Sequence, residues 1–368
     1  MKKEGLIEDK SGNSTPMEST GSFYAQRIAH RKPGLELDPP FPETVMIELT
    51  NGCNHACVFC TNPRMSRAVS HLPIELFTSF ITEAVSLGVK EAGFYTTGEP
   101  FMTPNLDEFV KIATDAGVAY TYITTNGSLA TPDKLERLIR AGIKSIKFSI
   151  NAGLRESYKL VHGSDDFERV LENVRWLADY RKANGTNLRL LGSCVLTRLT
   201  ENEKELHRAT FGPYLDDILY VCAGPQASQS LLEAQLVTPS YNKIKFPAEG
   251  TRAPCFMLWS RVHLTAEGYL SLCCVDYNNN LVYARVDDGK PLMEHWHNAI
   301  VTEMRKRHLS QELKGTLCHN CFYGGTDPYV PISDLGRTTR TQPARVLKKG
   351  PDLQTRISKI SEMVQQQG

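Results

Sequence analysis

From about residue 42 the chain alternates two patterns. Short apolar runs at 45–49, 91–95, 118–124, 145–150, 188–196 and 217–222 predict strands, and the stretches 73–87, 105–116, 132–141, 166–182 and 203–210 carry apolar residues at helical spacing. Thr131-Pro132-Asp133 supplies an N-cap with proline at the first helical position, and Asn184-Gly185 supplies a stop. Six strands joined by helical crossovers predict an α/β fold with a parallel sheet covered by helices, because parallel neighbours cannot be linked by a tight turn. A doubly wound sheet and an incomplete barrel both satisfy this pattern. Either places ligands at the C-terminal ends of the strands.

The periodicity also divides the chain. Residues 1–40 show no apolar repeat and are expected to form a flexible leader; 41–222 hold the strand–helix series, and 223–250 read as a linker. Residues 251–330 predict a small second module, with two short strands around Glu267-Gly268, a helix over 292–309 and a turn ending in Cys318-His319-Asn320-Cys321. In the basic, polar tail 331–368, Leu353, Ile357, Ile360 and Met363 recur at helical spacing and predict a helix docked on the body. Charge narrows the partners. With 42 Lys+Arg against 41 Asp+Glu there is no electrostatic footprint for nucleic acid. No apolar run spans a bilayer, and the polar Met1–Thr20 lacks an export signal, so a cytoplasmic location is expected.

Ten cysteines change the picture. In a reducing compartment clustered thiols bind metals or clusters more often than they form disulfides. Cys53, Cys57 and Cys60 follow the first strand with C-x3-C-x2-C spacing. Three thiolates from one loop hold three irons of a [4Fe–4S] cube and leave the fourth open, whereas structural zinc wants four ligands. Cys255, Cys273, Cys318 and Cys321 form a second group, which by coordination chemistry alone completes either Zn(Cys)4 or a [4Fe–4S] cluster.

These features resemble the radical S-adenosylmethionine (SAM) superfamily. The cysteine loop, with Phe59 before its last thiol, is similar to that family's signature, and Thr96-Thr97-Gly98-Glu99-Pro100 to its GGEP-like segment, with Thr97 where a glycine is commoner. The resemblance implies a partial (β/α)6 barrel. It also implies an open iron that chelates SAM, and reductive cleavage of SAM to methionine and a 5′-deoxyadenosyl radical. Gly98, Glu99 and Pro100 would receive the SAM ammonium, and Asn126, Ser149, Asn151 and Ser193, at the ends of later strands, would face its ribose or carboxylate. Pro254-Cys255, Trp259, Glu267-Gly268-Tyr269, Cys273-Cys274, Trp296 and Arg305 resemble the SPASM/twitch auxiliary-cluster domain. That implies a small C-terminal α+β domain with one auxiliary [4Fe–4S] cluster on Cys255, Cys273, Cys318 and Cys321; spacing alone leaves Cys274 as the alternative to Cys273, since adjacent strand residues face opposite ways and only one reaches the cluster. The spacing is similar to that of aminocyclitol-oxidising members.

The implied function is SAM-dependent hydrogen abstraction from a small polar substrate, a sugar, aminocyclitol or related metabolite, giving oxidation, dehydration or epimerisation. An external donor such as flavodoxin or ferredoxin would supply the electron. Maturation of a ribosomal peptide is the alternative, and a non-catalytic zinc or iron–sulfur protein the reading from another class. Cys222, at the end of the last strand, is a candidate hydrogen donor. Tyr95, Tyr120, Tyr122 and Cys194 read as core, and Arg305-Lys306-Arg307 as a solvated helix face.

Overall fold

The computed structural model describes residues 17–21, 23–24, 26, 34–223, 250, 252–323, 327–338 and 353–367. The six expected strands form at Thr44–Ile47 (β2), Glu91–Phe94 (β3), Tyr120–Thr125 (β4), Ser145–Ser149 (β5), Arg189–Leu196 (β6) and Asp217–Cys222 (β7). Each pairs in parallel with the next, so the chain folds as a partial (β/α)6 barrel. Met17–Ser19 (β1) precedes them, and Arg261–Leu264 (β8), Tyr269–Ser271 (β9) and Val282–Arg285 (β10) follow. The full sheet runs β1-β7-β6-β5-β4-β3-β2-β8-β9-β10.

Two expectations change here. The stretch 1–40 is not simply a flexible leader. β1 pairs antiparallel with β7, and Asp217 fixes the following turn by accepting from Ser19 Oγ and Gly21 N, both at 2.7 Å. Further on, Trp259 Nε1 donates to Glu36 O (2.6 Å), and Trp296 Nε1 to Pro39 O (3.1 Å). Arg305, expected on a solvated face, is fully buried. It lies 4.2 Å over the Trp296 ring and donates to the carbonyls of Leu258, Leu37 and Trp296. The second module is also not detached, because β8 pairs in parallel with β2 and extends the barrel sheet directly into the β8–β9–β10 meander.

Local chemistry explains the remaining differences. Between β5 and β6 two helices form, Arg155–His162 and Phe167–Asn184, separated at Gly163, whose φ of 71° lies in the left-handed region. The helix expected over 292–309 divides into Leu292–Trp296 and Ala299–Ser310, with Asn298 capping the second by accepting from Val301 N. Leu353–Gln367 is a helix whose Ile357 and Ile360 pack with Val58, Phe59 and Val161 beside the first cysteine loop. The linker expected over 223–250 lies, except for its two end residues, outside the described residues. No helix among the described residues is long and apolar enough to cross a membrane.

One buried histidine in this layer gives a pH prediction. His207, on helix Lys204–Phe211, packs on Phe211 and sits 3.0 Å from Tyr220 Oη. Burial pushes its pKa from 6.5 down to about 4, so it stays neutral in the folded chain. The unfolded chain binds that proton first as pH falls. Stability is therefore full above pH 6.5 and declines toward pH 4, by about 3 kcal/mol from this group. Urea midpoints measured from pH 7 to 4.5 are expected to fall less steeply in His207→Gln than in the wild type.

Candidate active site

The first cysteine loop leaves the C-terminal end of β2 and is held from three sides. Beneath it, Glu99 N donates to Gly52 O (2.7 Å), while Asn62 Nδ2 donates to Asn51 O (2.9 Å) and Thr97 O (2.7 Å). Ala56 N and Val58 N donate to the carbonyls of His162 and Val161 at the end of helix Arg155–His162. Above it, Arg356 Nη2 donates to Ala56 O at 2.7 Å. Gly98 is required by this packing, since a Cβ there would lie 2.2 Å from Thr50 O and 2.6 Å from Gly52 O. Its close approach is thus to the cysteine loop's own backbone.

Cys53, Cys57 and Cys60 converge. Burial pushes all three thiols up; the neighbouring thiols push Cys53 and Cys57 further, and Glu99 also raises Cys53. Three buried thiols are costly as bare thiolates and become favourable when bound to a cationic centre, so this donor set fits a metal cluster. Side chains reach each of the three sulfurs, and Asn126 hydrogen-bonds the Cys53 thiol. Cys57 Sγ lies 3.6 Å from His162 Nδ1, and Cys60 Sγ lies 3.5 Å from Tyr277 Oη. The tautomer of His162 follows from its partners. Asn151 N donates to Nε2 (3.1 Å) and burial keeps the ring neutral, so Nδ1 carries the proton. His55 Nε2 donates to Asp166 (3.1 Å), which leaves its Nδ1 to accept from His162 at 3.2 Å. His55, Cys57 and His162 bring ligand atoms within 4.8 Å of one another, but the two facing ring nitrogens are already committed to each other.

The expected SAM-facing residues divide by how they are used. Glu99 is buried and accepts from Thr125 Oγ1 (2.7 Å), Asn126 N (2.7 Å) and Phe101 N (3.1 Å), and burial raises its pKa. A carboxylate offers about four acceptor sites, so one remains for a ligand. Pro100 opens the short turn Pro100–Met102 that this carboxylate caps. Asn126 Nδ2 donates to Asn54 Oδ1 (2.9 Å), tying β4 to the cysteine loop. Asn151 is buried, with Oδ1 accepting from Val195 N (2.8 Å) and Nδ2 directed at Ser149 Oγ (3.4 Å). Ser149 and Ser193 are half-buried neighbours in register. Phe59 belongs to the apolar cluster of Val58, Val161, Ile357 and Ile360, against which Cys57 and Cys60 also pack.

Register maps the lumen beneath. Ser149, Ser193 and Leu219 share one layer; two residues lower, about 6.6 Å by strand rise, Thr124, Lys147 and Leu191 share the next. A cavity opens there, lined among others by Tyr95, Tyr120, Tyr122, Lys147 and Leu219. Gly93 makes room for the Tyr122 ring, because a Cβ there would lie 2.6 Å from it. Lys147 Nζ sits 5.2 Å from the Tyr95 ring centroid, and Tyr24, which also lines the cavity, donates from Oη to Gly192 O (3.1 Å). The three tyrosines read as core therefore line the lumen. Cys222 has the strand parity of Ile218 and Tyr220, which pack with Cys194 on the other face of the sheet, so alternation sets it opposite the lumen-lining Leu219.

The second thiol group also converges. Cys318 and Cys321 lie three apart on helix Leu317–Tyr323. Burial, with Cys321 and Cys274 nearby, pushes Cys255 up to about 12; burial, with Cys255 and Cys321, pushes Cys318 up. Cys273 is raised by its hydrogen bond with Cys274, by burial, and by Cys321 and Cys255. Cys274 Sγ lies 3.8 Å from Met257 Sδ, and His263 lowers its pKa after the Cys273 bond.

A buried ion network, not foreseen from the sequence, joins the two sites. Arg67 donates to Glu48 at the end of β2 and bidentately to Glu267 in the β8–β9 turn, both of the latter bonds at 2.8 Å. Glu48 also accepts from Ala266 N (2.9 Å) and from the hydroxyls of Thr96 and Thr97. Burial alone would raise Glu48, yet Arg67 and these donors hold it below the usual carboxylate range. Thr97, where the GGEP-like pattern more often has glycine, thus serves this network. The signal in the sequence was a charged residue inside an apolar strand run, at Glu48 as at Lys147.

Known proteins share both parts of this arrangement. Residues 47–208 match the Radical SAM superfamily, and residues 255–322 match SPASM, an iron–sulfur cluster-binding domain. An AdoMet-dependent heme synthase of Methanosarcina barkeri is 32% identical over 169 residues, 45% of this chain and 48% of that protein. A PqqA peptide cyclase of Gluconobacter oxydans is 35% identical over 112 residues, 30% of this chain and 31% of that protein. The alignments span less than half the length of these relatives. Among solved structures, anSMEcpe with bound AdoMet is similar in fold, with a TM-score of 0.54 at 13% identity, covering 88% of this chain and 100% of that one.

Proposed function

We propose that this chain, a radical SAM domain followed by a SPASM iron–sulfur cluster-binding domain, is an enzyme that modifies a peptide substrate. Its cofactors are a SAM-binding [4Fe–4S] cluster, SAM and an auxiliary cluster. When bound, the first cluster supplies the electron that cleaves SAM to methionine and a 5′-deoxyadenosyl radical able to take hydrogen from substrate. Cys53, Cys57 and Cys60 hold that cluster; Cys255, Cys273, Cys318 and Cys321 hold the auxiliary one. Glu99, with Gly98 and Pro100, receives the SAM ammonium at its remaining acceptor site, and Ser149 and Ser193 face the nucleoside. An external one-electron donor, of the flavodoxin or ferredoxin kind, would reduce the first cluster.

The observation that carries the peptide reading is the recurrence of PqqA peptide cyclases among the relatives, 30–35% identical over 112–142 residues. A peptide side chain enters the lumen below the Ser149 layer, where Tyr95 and Tyr122 pack on it and Lys147 meets an anionic group. A small polar metabolite is the second reading, favoured by the charged Lys147 among the tyrosines that line the lumen cavity. One assay separates the two. Reconstituted enzyme with SAM and dithionite is offered candidate precursor peptides or a pool of sugars and aminocyclitols, and 5′-deoxyadenosine is counted against substrate mass. Peptide mass change matched to 5′-deoxyadenosine supports the proposal; turnover confined to the metabolites overturns it. With the active substrate, Lys147→Met is expected to raise KM about 10- to 100-fold, the value of a hydrogen bond to a charged group, with iron content unchanged.

A further inference from the structure

The second module places a side chain on the first module's cysteines. Tyr277 belongs to the loop between Cys273 and β10, and its hydroxyl lies 3.5 Å from Cys60 Sγ. The loop is rigidly presented. Asp276 accepts from Asn280 N (2.9 Å) and Leu281 N (2.6 Å), and Asn278 Oδ1 accepts from Ser66 N (2.9 Å) and Ser66 Oγ (3.0 Å), just downstream of Cys60. Tyr277 is only 8% exposed, so water does not compete for this contact. A cluster-bound thiolate has no proton to give and a buried phenol keeps its own. The bond therefore has one direction, from the Tyr277 hydroxyl to Cys60 sulfur. Asn62 N, 3.4 Å away, is a second donor to the same sulfur.

We infer that Tyr277 is a positioning residue through which the auxiliary-cluster loop raises the reduction potential of the SAM-binding cluster. Reduction adds negative charge to the cluster, and a hydrogen bond to its sulfur stabilises the reduced form more than the oxidised one. The donor sits four residues after Cys273, so the loop that ligates one cluster also sets the ease of reducing the other. This rests on the assignment of Cys53, Cys57 and Cys60 as ligands.

The test is a redox titration of fully reconstituted full-length protein, following each cluster by its own paramagnetic signal. In Tyr277→Phe the reduced-to-oxidised ratio of the first cluster at a fixed potential is expected to fall about 2- to 10-fold, the net value of one hydrogen bond. The auxiliary cluster should titrate unchanged. Incorporating a fluorinated tyrosine at position 277, a more acidic and stronger donor, should shift the ratio the opposite way. An exchangeable proton coupled to the first cluster in wild type should disappear in Tyr277→Phe. Unchanged potential in both variants, or equal shifts in both clusters, overturns the inference. A wild type that binds no iron at the first site overturns the ligand assignment instead.

Discussion

The Cys53/Cys57/Cys60→Ala variant is expected to bind about four irons where wild type binds about eight, and to lose SAM cleavage altogether. The three thiols lie in one buried loop, and each is pushed up by that burial, so none carries stable charge alone. Removing all three deletes the loop's whole set of sulfur donors. The second group, with Cys273 just after β9 and two thiols on helix Leu317–Tyr323, keeps its four cysteines. Anaerobic reconstitution with iron, sulfide and zinc counted separately checks this. Four irons plus one zinc in wild type would make the second site a structural zinc centre. Iron equal in both proteins would remove Cys53, Cys57 and Cys60 as ligands.

What the sequence revealed follows from which signals are local. The six barrel strands and the C-x3-C-x2-C loop were legible because strand alternation and ligand spacing are properties of short stretches. The second thiol group was legible through Cys318-x2-Cys321, although nothing local linked it to Cys255 and Cys273. Interactions between distant segments were hidden. Arg305 stands in a basic run, and only the fold brings Leu37 O, Leu258 O and the Trp296 ring to it. Helix Arg155–His162 is short, and the groups that meet its His162, His55 and Cys57, lie 107 and 105 residues away. Tyr277 follows the Cys273-Cys274 pair with no local signal of its own, and only the docking of β8 on β2 brings it to Cys60. Lys147 went unremarked inside the run 145–150, and its partner ring and its lumen depend on register.

Arg67→Met is expected to lower folding stability by about 3–5 kcal/mol, because it strands Glu48 as a buried carboxylate without its cation. Both side chains of the Arg67–Glu48 pair are 2% exposed, so solvent cannot replace the lost partner. Arg67 also makes the bidentate contact to Glu267 that ties the β8–β9 turn to the cysteine-loop segment. Arg67→Lys should recover only part of the loss, since an ammonium cannot reproduce the two-pronged geometry. Removing the stranded charge as well, in Glu48→Gln/Arg67→Met, should restore stability relative to Arg67→Met alone, since the neutral amide oxygen introduced in place of the carboxylate can still accept from Ala266 N. Denaturant midpoints for the three variants measure this, and equal midpoints in Arg67→Met and the double variant would show that Glu48 is not stranded. The effect reaches the site, because Glu48 also holds the hydroxyls of Thr96 and Thr97, and Thr97 O accepts from the Asn62 that braces the cysteine loop. Arg67→Met should therefore shed iron from the first site at denaturant concentrations where the wild type retains it.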